Sequence, residues 1–172
     1  MDRDTFRSKV IKLVQKSKKA LRLYNSMGRL NTGEASELAD QQVLEWKAIN
    51  QTLIKTLTHS IEKLDNKQLS DRVFLLRDQF YTDWRSAEAD LKTKQSALIA
   101  AVDNQDFIKS VGMSRDLAVL KSKMQASQAA CHELQLLIDQ NKLNPPAEPE
   151  PEDTYAIVEE VQEAKVIPLW GR

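Results

Sequence analysis

Cysteine occurs once in these 172 residues, at Cys131, so the chain can build no internal disulfide framework and no thiolate metal cage. That usage suits a reducing compartment, and a cytoplasmic protein is the expectation. Glycine is nearly as scarce, with four in the whole chain, and aromatics make up only 6%. Sheets and tight turns draw on both, whereas the abundant Lys, Gln, Leu, Ala, Ser and Asp suit long helices. No apolar run approaches the roughly 20 residues of a membrane span. Met1 to Leu13 also lacks the unbroken apolar block of a secretory signal. Histidine appears twice, as His59 and His132, and neither follows a glutamate at the i−3 spacing of di-iron bundles; Thr56 and Ala129 stand there instead. Phosphate-binding loops and dinucleotide fingerprints are absent as well. The sequence therefore implies no metal, no cofactor and no catalytic constellation, and a non-enzymatic protein is expected.

What is present is helical patterning. The stretch from Asp4 to Leu30 carries Phe6, Val10, Leu13, Ser17, Ala20, Tyr24 and Met27 at alternating spacings of four and three, one seam of an amphipathic helix. Asn31, with Glu34 three residues on, reads as the capping pair of a second helix. The seam of that helix is Leu38, Gln42, Trp46, Ile49, Leu53, Leu57, Ile61 and Leu64. Asp65 and Asn66 favour a turn, and Ser70 stands where a third helix could be capped. The third seam runs Val73, Leu76, Phe80, Trp84, Ala87, Leu91, Lys94, Leu98 and Ala101, and frays at the following DNQD. Residues 107–113 read equally as helix or break, because Gly112 mid-helix costs about 1 kcal/mol. The fourth seam holds Met113, Leu117, Leu120, Met124, Ser127, Cys131, Leu134 and Ile138, which makes Cys131 a packing residue.

None of these helices can bury its seam alone. The fold class is therefore all-α, an antiparallel bundle or coiled coil of three to four long helices, with three helices and one reaching out as the alternative. Gln42 and Lys94 are polar at seam positions and either fix register or lie near a bundle end. Among the aromatics, Phe80 with Trp84 and Phe74 with Tyr81 form two pairs on separate faces, and three of the four are expected in the core.

After Leu143 the pattern fails. NPPAEPEP places four prolines among glutamates, which removes backbone donors and favours extended polyproline geometry. The organisation that follows is a helical bundle over 1–143, a Pro and acid linker over 144–153, and a tail segment over 154–172 holding a short helix or linear motif. That tail sets Ile157, Val158, Val161, Ile167, Leu169 and Trp170 beyond a stretch that cannot pack, where apolar surface is costly unless something covers it. Its cover is either the chain's own bundle or a partner that captures it with Trp170 as anchor.

Charge is balanced overall, with 25 basic and 25 acidic residues, so the molecule as a whole is not built to coat nucleic acid or an anionic membrane. The ends differ in sign. Residues 1–30 hold nine Lys or Arg against Asp2 and Asp4, a net of +7, and residues 145–172 hold seven acids against Lys165 and Arg172, a net of −5. A basic face at Lys9, Lys12, Lys16, Lys19 and Arg22 is a solvated bundle surface in the plain reading. In the sharper one it attracts an acidic partner, for which the chain's own tail competes.

These features point to a protein–protein interaction module, an adaptor, assembly factor or chaperone, that binds through helix faces and the tethered apolar tail. The alternative is a nucleic-acid-associated protein using the basic first helix. A small helical body of this kind also resembles secretion and flagellar export chaperones, at the level of fold class alone.

Overall fold

A computed structural model describes residues 3–27 and 34–146. Within them the chain forms four α-helices: α1 (Arg3–Met27), α2 (Glu34–Lys63), α3 (Asn66–Asp103) and α4 (Phe107–Asn141). The expected all-α bundle is the observed architecture, with all four helices taking part.

Neighbouring contacts give the directions. Arg7 of α1 meets Ile61 and Leu64 near the end of α2, and Tyr24 stacks at 6.2 Å on Trp46, so α1 and α2 are antiparallel. Lys94 of α3 pairs with Asp116 of α4 at 3.2 Å, which makes α3 and α4 antiparallel too. Lys9 reaches Asn141 and Lys16 reaches Glu133, placing α1 antiparallel to α4. Alternate helices therefore share a direction, and the broadest packing is between α3 and α4, followed by α1 with α2 and α2 with α4.

The core gathers toward one end. Phe6, Val10, Leu57, Leu69, Val73, Phe80 and Leu134 are almost fully enclosed, and Leu64 and Leu143 pack against their cluster. These positions lie near the start of α1, the end of α2, the start of α3 and the end of α4. Toward the opposite end the buried positions turn small, with Ala87, Ala101, Ser110 and Ser122, so the helices meet there over little apolar volume.

The connections show how the chain turns. Between α2 and α3 only Leu64 and Asp65 are non-helical, and Asp65 is the N-cap: its carboxylate accepts from the Gln68 amide at 2.9 Å while the Gln68 side chain accepts from the Asp65 amide at 3.2 Å. The expectation that Ser70 caps α3 is wrong. Ser70 lies a turn inside the helix and is buried, because the reciprocal Asp65 and Gln68 pair satisfies the free amides earlier. The segment 107–113 is helix from its first residue, with Asp106 accepting from the Lys109 amide at 3.1 Å. Asn31 lies outside the described residues.

Both α3 and α4 end in the same way. Gln105 (φ 60°) and Lys142 (φ 49°) take left-handed conformations. The next amides, of Asp106 and Leu143, reach back to the Ala101 and Ile138 carbonyls at 2.9 and 3.1 Å. At the end of α4 this folds the chain back, so that Leu143 rests on the core.

Candidate functional site

Two grooves between helices are the candidate sites for a partner. The larger lies on the outer side of the α3 and α4 pair, holds about 570 Å³ and is lined from those two helices alone. α3 contributes Arg77, Tyr81 and Trp84, one helical turn apart, and α4 contributes Gln125, Gln128, His132 and Gln135 at matching spacing. The Tyr81 and Trp84 rings meet edge to face at 5.7 Å, and the Arg85 guanidinium lies 5.9 Å from the centre of the Trp84 ring. An apolar aromatic wall is thus faced by glutamine amides, each able to donate and accept.

This site corrects the reading of the aromatics. Phe74 is buried and belongs to the core with Phe80, whereas Tyr81 is 48% exposed and Trp84 half-buried. Phe74 and Tyr81 do not share a role, because a one-residue advance from Phe80 turns the side chain toward the outer face. Cys131 sits beneath the groove and is buried. Burial pushes its thiol above the ordinary range, partly opposed by Arg77 and reinforced by Asp78. His59 and His132 are both exposed, and no group of three His, Cys, Asp or Glu among the described residues could hold a metal.

The chain matches no protein-family model, no curated protein and no solved structure.

The second groove, of about 260 Å³, runs between α1 and α4. Its basic wall is Lys9, Lys12 and Lys16, three of the five cations read from the sequence, and its floor includes Leu13, Leu136 and Leu137. Lys19 and Arg22 are exposed further along α1 and take no part in it. Lys16 pairs with Glu133 at 2.5 Å, and Lys9 donates to the Asn141 side chain at 3.2 Å. Arg7, counted in the same basic stretch, is engaged elsewhere. Its guanidinium donates to the Ile61 carbonyl, to the Leu64 carbonyl at 2.6 Å and to Asn66 Oδ1 at 3.3 Å, meeting the free carbonyls and negative dipole end of α2.

The polar seam residues also resolve. Gln42 donates to the Ala118 carbonyl at 3.2 Å and so ties α2 to α4, whereas Lys94 is exposed and reaches Asp116. A separate apolar group, Ile99, Val102, Phe107, Ile108 and Val111, is exposed around the turn joining α3 to α4. No helix among the described residues is long and apolar enough to cross a membrane. The tail residues Ile157, Val158, Val161, Ile167, Leu169 and Trp170 lie outside the described residues.

Proposed function

We propose that this chain is a non-enzymatic interaction module, of the adaptor, assembly-factor or chaperone kind, which holds a second protein through its helix faces and its apolar C-terminal segment. The observation that carries the reading is the groove walled by Tyr81 and Trp84 and rimmed by Gln125, Gln128 and Gln135. Its volume of about 570 Å³ falls within the range of ligand pockets, about 300–1,000 Å³, and leaves room for one large side chain. A Trp-sized side chain placed there loses about 200 Å² of exposure, on the order of 5 kcal/mol before ordering costs. The glutamine amides suit backbone N–H and C=O groups rather than a single charged ligand. The partner is another protein, acidic where it meets α1, and the location is cytoplasmic. The chain's own tail is a further occupant of the bundle surface.

The test uses copurification from native cells with thermal unfolding followed in parallel. Trp84→Ala on the body, and separately Leu169→Ala with Trp170→Ala on the tail, are expected to lose the copurifying protein without lowering the unfolding midpoint by more than a few degrees. Retention of the same partner by both variants would overturn the reading.

The nucleic-acid alternative has less support, since Arg7, Lys9 and Lys16 are engaged within the bundle and the aromatics of α1 are taken up in packing, Phe6 in the core and Tyr24 against Trp46. It would require that charge reversal at Lys12, Lys16 and Lys19 abolish binding and flatten its salt slope. The export-chaperone reading rests on fold class alone.

A further inference from the structure

We infer that the α1 and α4 groove is occupied by the chain's own acidic, proline-rich segment, residues 147–153, whose Glu148, Glu150 and Glu152 are drawn to the basic wall of Lys9, Lys12 and Lys16. Three observations meet at this place. The first is where the described chain ends. α4 closes at Asn141, whose side chain accepts from Lys9, the first cation of the groove. The left-handed Lys142 then turns the chain back so that Leu143 rests on the core, and Pro146 is three residues further on. Residue 147 therefore starts within a few residues of the groove's mouth.

The second is spacing. Lysines at 9, 12 and 16 rise along α1 by about 4.5 and 6 Å at 1.5 Å per residue. Glutamates on alternate residues of a polyproline segment advance by about 6 Å at 3.1 Å per residue. The carboxylates therefore keep pace with the ammonium groups along α1, while the threefold turn of polyproline points them to three sides, so that one or two at a time reach a lysine.

The third is charge. Glu133 is the one carboxylate lining the groove, and it is paired with Lys16. Among the described residues Lys9 bonds to the neutral Asn141 side chain and has no ion pair, and neither has Lys12. Leu136 is 39% exposed beside them and offers the proline rings an apolar floor. Exposed ion pairs are individually weak, so the segment, held by one or two at a time, is displaced by salt or by a more acidic competitor. The contact keeps the basic face covered until such a competitor arrives and sets where the apolar residues beyond 153 begin.

The inference rests on reading 147–172 as a tether followed by a docking motif, and its test is independent of partner capture. Full-length protein, as an equal mixture of ordinary and isotopically heavy chains, is treated with a zero-length carbodiimide that joins a lysine amine to a carboxylate in contact with it. Lys16 to Glu133 serves as the internal control. Links from Lys9, Lys12 or Lys16 to Glu148, Glu150 or Glu152 within one chain are expected, and they should be lost at about 1 M salt, where the Debye length falls to about 3 Å. Lys12→Glu, an exposed change, should deplete the remaining links to the tail while leaving the control in place. The control link without any tail link, or tail links found only between ordinary and heavy chains, would overturn the inference. Loss of the copurifying partner in the Leu169 and Trp170 variant with these links intact would separate the two readings.

Discussion

Gly112 lies in the second turn of α4, where a Cβ would meet open space. Glycine there keeps only its cost, so Gly112→Ala is expected to raise stability by about 0.5–1 kcal/mol, read as a higher urea midpoint at unchanged slope. Cys131 shows the opposite case, a residue defined by what surrounds it. Its thiol is held above the ordinary range by burial. The folded chain thus keeps a proton that the unfolded chain releases. The stability Cys131 contributes is full below about pH 8.5 and is lost as pH climbs through the raised value. Iodoacetamide near pH 8 should alkylate Cys131 much more slowly in the native protein than in urea; equal rates would contradict the buried placement. Both residues were half legible in the sequence. The seam spacing placed Cys131 inside, but the open space at Gly112 depends on which helix faces it, and spacing alone does not say.

Arg7 joins the start of α1 to the end of α2 and to the α3 turn, and no sequence pattern marks it, because an arginine that caps a neighbouring helix looks like any other charge on a polar face. Charge-assisted hydrogen bonds of this kind are each worth about 1.5–3 kcal/mol. Arg7→Ala is expected to cost about 2 kcal/mol, with Arg7→Lys recovering part of it, measured by denaturant unfolding. Helix existence was legible throughout from the seams of three and four. Helix ends were less so. Gln105 and Lys142 adopt the left-handed conformations that usually announce themselves as glycine, and Asp65 was a better cap than Ser70 because its partner Gln68 sits three residues on. The aromatic groove was not legible at all, since it exists only once α3 and α4 are placed side by side.

The whole molecule is uneven. Its large core residues lie toward the end where α1 starts and α4 finishes, and the far end is held by small residues with Ile99, Phe107 and Ile108 exposed around the turn. The compact end already encloses Phe6, Leu57, Phe80 and Leu134 with residues from all four helices, so the body has its own core. The proposed docking role of the C-terminal segment requires that the segment not be needed to complete that core. Urea unfolding of the full chain beside a chain ended after Pro146 tests this most directly. The slopes should match and the unfolding free energies should agree to within about 0.5 kcal/mol. Loss of the cooperative transition on removing residues 147–172 would show that the bundle cannot stand without its tail, and would contradict a docking role for it.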